Sequence, residues 1–113
     1  MKLIKDQIRI EELVKMADES FGDFVKAVVD VEKEMMVVDA PMHADEEKML
    51  LEKGSKQENL WGINLFPENE EKSWIEFDSM INLRPSFGNS SRGVENKEIQ
   101  VKIVKIVNRL VKR

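Results

Sequence analysis

The chain contains no cysteine and only one histidine. The absence of cysteine excludes disulfides, thiol nucleophiles and every cysteine-based metal or redox site. One histidine cannot supply the two or three imidazoles of a common catalytic zinc site, so we expect no metal and no cofactor. No apolar run approaches the roughly 20 residues that a membrane helix needs, and the first residues lack the apolar stretch of a signal peptide. We therefore expect a cytoplasmic protein with no membrane partner.

The remaining composition is that of an ordinary globular protein. The 113 residues are 42% hydrophobic and 35% charged, with only five glycines and three prolines. This length is too short for two independent cores and long enough for one. The sequence thus predicts a single domain over residues 1–113.

Charge is distributed unevenly along the chain. The net charge is -4 and the isoelectric point about 5.1, which disfavours non-specific binding to nucleic acid. Residues 84–113, however, carry eight basic and two acidic side chains, a local charge of +6. The carboxyl-terminal third is therefore the part of the chain where we expect a specific contact with an anion.

The first half of the chain reads as helix, two strands and a short helix. Helical spacing of apolar residues predicts an amphipathic helix over Ile10–Phe21. Alternating β-branched residues predict antiparallel strands at Phe24–Val31 and Met35–Val38. The segment Ala44–Lys53 fits a short helix with Gly54 at its carboxyl-terminal cap.

The second half reads as two strands, a long loop and a helix. Strands are predicted at Leu60–Phe66 and Trp74–Leu83, followed by a loop rich in Ser, Gly and Asn at Pro85–Asn96. An amphipathic helix follows at Lys97–Lys112, with Asn96 as its amino-terminal cap. The order of elements predicts an α+β fold: an antiparallel sheet of about four strands with the amino- and carboxyl-terminal helices packed on one face.

Alternation in the last two predicted strands assigns side chains to two faces. The core face receives Trp61, Ile63, Leu65, Ile75, Phe77, Ile81 and Leu83. The other face receives Gly62, Asn64, Glu76, Asp78, Asn82 and Arg84. Small polar residues such as Asn64 and Asn82 on that second face either meet water or a ligand.

The loop Arg84–Gly93 is the segment richest in anion donors. Guanidinium groups offer bidentate donors, hydroxyl and amide groups add neutral donors, and glycine lets backbone amides approach an anion. The candidate ligands in this loop are Arg84, Ser86, Asn89, Ser91 and Arg92. The alternative is a structural loop in which Arg84 pairs with Glu76 or Asp78, whereas Arg92 has no evident local partner.

The single histidine, His43, precedes three acidic residues, Asp45, Glu46 and Glu47. A carboxylate beside an imidazole can create a proton shuttle, and His with Asp or Glu can hold a metal. The favoured alternative is a histidine near a helix start, where the acids complement the helix dipole.

Five blocks of sequence resemble a family of small uncharacterised prokaryotic proteins known as a domain of unknown function. The blocks are His43-Ala-Asp-Glu-Glu47, Leu50-Leu-Glu-Lys-Gly-Ser55, Leu60-Trp-Gly-Ile-Asn-Leu65, Ile75-Glu-Phe-Asp-Ser-Met-Ile-Asn-Leu-Arg-Pro85 and Gly88-Asn-Ser-Ser-Arg-Gly93. The resemblance spans nearly the whole chain. It implies a small, stand-alone cytoplasmic protein and carries over no catalytic residue.

Three functions remain open from the sequence. The first is a binding module in which the loop Arg84–Gly93, with Asn64, Asn82 and His43, holds an anionic ligand: a nucleotide, a phosphate or RNA. The second is a small phosphodiester hydrolase of the toxin-nuclease kind, with His43 or Glu46 as general base and the two loop arginines stabilising the transition state. The third is a structural or interaction protein that forms a homodimer through its last helix or a sheet edge.

Overall fold

Ten helices and strands form the fold. A computed structural model of the protein describes all residues from 1 to 113. In chain order the elements are β1 (Lys2–Ile4), β2 (Ile8–Arg9), α1 (Ile10–Glu19), β3 (Val25–Asp30), β4 (Met35–Val38), α2 (His43–Glu52), β5 (Leu60–Leu65), β6 (Ile75–Glu76), α3 (Lys97–Leu110) and β7 (Val111–Lys112). The class is α+β, as predicted.

The main sheet has five antiparallel strands in the order β1-β4-β3-β5-β6. The predicted hairpin is confirmed, with Val28 opposite Val37 across β3 and β4. On its other side β3 pairs with β5 over six residues, from Val25 opposite Leu65 to Asp30 opposite Leu60. The edge strand β1 was not predicted, because three residues are too few to show an alternating pattern. A separate parallel pair, β2 with β7, joins the two ends of the chain.

One side of the sheet carries the larger hydrophobic core. Leu13 and Ala17 of α1 and Ile103 and Val107 of α3 belong to one cluster of 20 buried residues. The strands contribute alternate residues to this cluster, such as Ile63 of β5. The apolar residues that recur with strand and helix periodicity in the sequence are therefore the ones buried in this core.

The opposite side carries a smaller core beneath α2. Leu50 of α2 packs there with Val28, Val37 and Leu60, all fully buried. The face predicted to be polar is thus partly covered by a helix, and Asn64 and Asn82 on it are buried, whereas Glu76 remains exposed.

The predicted strand Trp74–Leu83 is wrong beyond its first residues. After β6 the chain turns, and Met80–Asn82 forms a 3-10 helix whose start is capped by the Ser79 hydroxyl, which accepts from the Ile81 amide. A local side-chain bond of this kind competes with strand pairing. Ile81 consequently packs against the smaller core and Leu83 is 42% exposed, so neither belongs to the predicted core face.

Two predicted helix ends are confirmed. The Asn96 side chain accepts from the amides of Glu98 and Ile99 at the start of α3. Gly54 follows α2 with a φ of +95°, a left-handed conformation that glycine adopts without strain. None of the helices combines the length and the apolar content needed to cross a bilayer.

Candidate functional site

The loop predicted to bind an anion is fastened internally by Asn89. Its buried side-chain nitrogen lies 2.8 Å from the Asn82 carbonyl, 2.8 Å from the Gly93 carbonyl and 3.1 Å from the Ser91 carbonyl. Its oxygen accepts from the amide of Glu95 at 3.0 Å. The Asn89 side chain therefore has no donor left for a ligand.

The Asn82 side chain forms hydrogen bonds with β5 at a position where the predicted strand Trp74–Leu83 would have paired with it. Its buried side-chain oxygen accepts from the Gly62 amide at 2.8 Å, and its nitrogen donates to the Gly62 carbonyl at 2.9 Å. The same nitrogen donates to the Arg92 carbonyl at 2.9 Å. Like Asn89, Asn82 satisfies buried backbone groups.

The predicted pairing of Arg84 with Glu76 or Asp78 is wrong. Arg84 is buried and donates instead to two backbone carbonyls, those of Gln57 and, at 2.9 Å, Leu60. Its guanidinium also lies 4.5 Å from the ring centre of Trp61. Burial lowers the pKa of Arg84 from its ordinary value, although the Glu47 carboxylate opposes this effect. Two carbonyls and an aromatic ring reach the guanidinium because the turn after β6 directs Arg84 back over the start of β5.

The prediction that Arg92 lacks a local partner is also wrong. Its Nε donates to the Asp78 carboxylate at 2.7 Å, and both side chains are about half exposed. The two remaining candidates in the loop are serines. Ser86 is exposed, and the Ser91 hydroxyl accepts from the Gly93 amide at 3.2 Å. The two terminal guanidinium nitrogens of Arg92 form no hydrogen bond with the protein, whereas those of Arg84 both donate to backbone carbonyls.

His43 is the first residue of α2 and is buried against β5. Its Nε2 lies 2.8 Å from the Ile63 carbonyl oxygen, so Nε2 carries the hydrogen and Nδ1 keeps a lone pair in the neutral ring. Burial is the main cause that lowers the pKa of His43 below 6.5, the nearby Lys26 adds to this, and the Ile63 bond opposes it. The imidazole is therefore neutral near pH 7.

Asn64 lies on β5 next to His43, on the face that α2 covers. Its side-chain nitrogen donates to the Glu76 carboxylate at 2.8 Å, while its buried side-chain oxygen has no protein partner. The Asn64 side chain is close enough to His43 to raise its pKa, so the two side chains are neighbours. Of the two asparagines predicted on this face, Asn64 alone keeps an unused polar atom.

A cavity of about 160 Å³ opens between the start of α2 and the turn after β6. We refer to it as the His43 cavity. Its lining consists of Lys26, Met42, His43, Ala44, Ser79, Met80, Ile81 and Arg92. It brings together His43 and Arg92, two of the predicted ligand residues, and leaves the other loop candidates outside.

Two polar residues of this cavity, Lys26 and Ser79, were not predicted from the sequence. Lys26 occupies a position in β3 whose side chain lies on the α2 side of the sheet, as the burial of Val28 two residues later shows. A lysine within a run of buried apolar residues was the available signal. The Lys26 ammonium forms no salt bridge and lies 5.2 Å and 5.9 Å from the ring centres of Phe21 and Phe24.

Three larger cavities have a different character. One of about 440 Å³ is bordered by Asp39, Asp45 and Glu52, one of about 350 Å³ lies by the β2 and β7 pair, and one of about 300 Å³ lies between Phe21 and Pro41. None of the titratable side chains that line these three cavities is buried. The His43 cavity, although smaller, is the one with buried polar side chains in its lining, His43 and Ser79.

Glu46 lies one turn after His43 on α2 and is fully buried. One carboxyl oxygen accepts from the Ala40 amide at 3.0 Å and the other has no partner. Burial raises the pKa of Glu46 to about 9, so the group is a neutral carboxylic acid near pH 7. A protonated acid cannot serve as the general base that the hydrolase hypothesis assigned to it.

The fold and the cavity define an α+β protein with helices on both sides of an antiparallel sheet and a cationic cavity at the start of α2. A family model described as "Protein of unknown function (DUF5674)" matches residues 2–110, so the chain belongs to that family. The resemblance to a domain of unknown function is confirmed. Neither the curated proteins nor the solved structures include a significant match.

Proposed function

We propose that the protein binds an anionic ligand through a single phosphate or carboxylate group held in the His43 cavity. The observation that carries the proposal is the meeting of Lys26, His43 and Arg92, from three separate parts of the chain, around one cavity. This moves the predicted anion site from the loop Arg84–Gly93 to the space beneath it. Arg92 is the residue common to both sites.

Lys26 supplies an unpaired positive charge. Its side chain is partly buried, and no carboxylate lies within 4.0 Å of its ammonium. Aromatic rings at more than 5 Å stabilise such a cation only modestly. An anion in the cavity would give this ammonium the ion pair that the protein itself does not provide.

Arg92 and Ser79 add directional donors. The Asp78 carboxylate engages Nε of Arg92, which leaves the hydrogens of both terminal nitrogens for a second acceptor. The buried Ser79 hydroxyl accepts from the Ile81 amide, and its own hydrogen has no acceptor among the protein hydrogen bonds. The first amides of α2, which begins at His43, have no partner within the helix, and His43 and Ala44 both line the cavity.

The size of the cavity limits the anion. The volume of the cavity is about 160 Å³. It accommodates one phosphate or carboxylate group and is smaller than the roughly 300 Å³ at which pockets for whole small molecules begin. Any larger ligand must extend out of the opening.

A small phosphodiester hydrolase is the second candidate, and the geometry of His43 favours it. Because Nε2 donates to the Ile63 carbonyl, Nδ1 of the neutral ring can accept a proton from a water molecule. Arg92 lies in the same cavity and would stabilise charge on a phosphoryl group. Arg84 is not in the lining, so this version of the hypothesis relies on one loop arginine instead of two.

Titration of the protein with inorganic phosphate, followed by two-dimensional NMR, tests the proposal. We expect a dissociation constant near the millimolar range and shifts confined to the cavity residues. Lys26→Met and Arg92→Gln should each weaken binding by about tenfold. Arg109→Gln is the matched control, because Arg109 is also about half exposed and paired with a carboxylate, that of Glu34. Folded protein without phosphate-dependent shifts, or equal effects of Arg92→Gln and Arg109→Gln, would refute the proposal.

A further inference from the structure

The mouth of the His43 cavity is apolar on two sides. Of its lining residues, Met42 and Met80 are 60% and 61% exposed. Met42 immediately precedes α2, and Met80 begins the 3-10 helix after β6. The buried residues His43 and Ser79 form the floor, so the two exposed methionines stand where the cavity meets solvent.

A ligand body attached to the anion must pass between these methionines. The cavity volume of about 160 Å³ accommodates only the anionic group, and the rest of an organic ligand lies outside it. An exposed methionine is a flexible apolar surface that adapts to different shapes. The body in contact with Met42 and Met80 is therefore apolar rather than a bare sugar or an inorganic ion.

Two features favour an aromatic body over an aliphatic one. A methionine sulfur makes a favourable contact with an aromatic ring that an aliphatic chain does not offer. Arg92 is also exposed and lines the mouth, and a planar guanidinium stacks on aromatic faces. Three side chains suited to an aromatic ring therefore surround the opening.

Resting on the proposed function, we infer that the ligand is a phosphate monoester whose organic part is an aromatic ring attached directly to the phosphate oxygen, as in phenyl phosphate. The phosphate lies among Lys26, Ser79 and Arg92, and the ring lies against Met42 and Met80. Met42 and Met80 thus determine which organic group binds, whereas Lys26, Ser79 and Arg92 bind the phosphate.

Four probes separate these contributions: inorganic phosphate, ribose 5-phosphate, hexyl phosphate and phenyl phosphate. We expect phenyl phosphate to bind about tenfold more tightly than each of the other three. Carbon-13 NMR of the methionine methyl groups gives a second readout, since a bound ring should shift the Met42 and Met80 signals among the seven methionines of the chain. Inorganic phosphate should leave these two signals nearly unmoved.

The double variant Met42→Gln/Met80→Gln should lose the advantage of phenyl phosphate and keep its affinity for inorganic phosphate within about twofold. Val101→Gln is the control, because Val101 is 53% exposed on α3, outside the cavity lining. The inference is overturned if inorganic phosphate binds but the phenyl group adds nothing, if hexyl phosphate binds equally well, or if the double variant retains the advantage. Absence of binding by every probe refutes the proposed function as well.

Discussion

The side-chain amide of Asn82 forms two hydrogen bonds with the backbone of Gly62, one in each direction, as a neighbouring β-strand would. A side chain at Gly62 would prevent this approach. A Cβ atom built there would lie 2.5 Å from both Cβ and Oγ of Ser79 and 3.1 Å from a carbon of Ile81. Gly62 is therefore required by the close packing of the turn after β6 against β5.

Replacing Gly62 by alanine should destabilise the protein by about 1–3 kcal/mol, because overpacking of this kind displaces either the strand or the turn. Urea denaturation measures the loss. Gly93→Ala is the control: a Cβ at Gly93 would meet only ordinary contacts, the nearest at 3.5 Å from the Phe77 carbonyl. Equal stability of the two variants would show that the turn does not lie against β5.

The two loop arginines should differ in their effect on folding. Arg84→Ala leaves the carbonyls of Gln57 and Leu60 without their donors and uncovers the Trp61 ring, which should cost at least about 2 kcal/mol. Arg92→Ala removes one exposed ion pair, which should cost at most about 1 kcal/mol. The structural role of Arg92 belongs to its backbone carbonyl, which alanine retains.

Free energies of unfolding from urea titrations compare these two variants directly. Arg84→Lys provides a further control, because it keeps the charge but offers a point charge in place of two divergent donors. It should recover only part of the lost stability. Equal destabilisation by Arg84→Ala and Arg92→Ala would contradict the distinction between the two arginines.

Local periodicity was sufficient to predict the helices and the long strands. The stripe of apolar residues in α3, its Asn96 cap and the alternation of β5 each depend on residues close in sequence. The prediction of a strand over Trp74–Leu83 was wrong because the structure there depends on a contact between residues far apart in sequence. The alternation of this segment continued beyond β6, but the contact that decides the structure joins Asn82 to Gly62, 20 residues earlier.

The candidate site was predicted only in part. His43 and Arg92 were identified by their chemistry, yet their meeting depends on α2 covering the face of the sheet that was predicted to be open. Two of the side chains predicted to face a ligand, Asn89 and Arg84, instead donate to backbone carbonyls, and no sequence pattern reveals such partners. The chemistry of single residues could be predicted from the sequence, whereas the position of α2 over the sheet could not.

Glu46 should make the stability of the protein fall as the pH rises. Its pKa is about 9 in the folded protein and close to 4.5 in the unfolded chain, so between these values the folded state retains a proton that the unfolded state has released. Stability should then decrease by up to about 1.4 kcal/mol per pH unit in this interval. Urea denaturation at several pH values measures the slope.

Glu46→Gln is the matched variant for this measurement. Glutamine keeps an oxygen for the Ala40 amide and cannot ionise, so the slope due to Glu46 should disappear. The variant should equal or exceed the stability of the wild type at about pH 8 and lose that advantage at about pH 4. Identical slopes for the two proteins would show that Glu46 is not held as a neutral acid.

His43 offers the most direct test of the cavity, because it is the one histidine in the chain and its ring signals need no assignment by mutation. Nitrogen-15 NMR should show the Nε2–H tautomer and a pKa below 6.5, since burial and Lys26 outweigh the Ile63 bond and the Asp78 carboxylate. The unfolded chain then binds a proton more readily than the folded protein, so the contribution of His43 to stability is present above about pH 6.5 and is lost as the pH falls. Phosphate at a concentration near its dissociation constant should raise the apparent pKa, because a nearby anion favours the imidazolium, and Arg92→Gln should reduce this rise at the same phosphate concentration by weakening binding. An Nδ1–H tautomer would contradict the bond to Ile63, and a pKa unmoved by phosphate would place the anion outside the cavity.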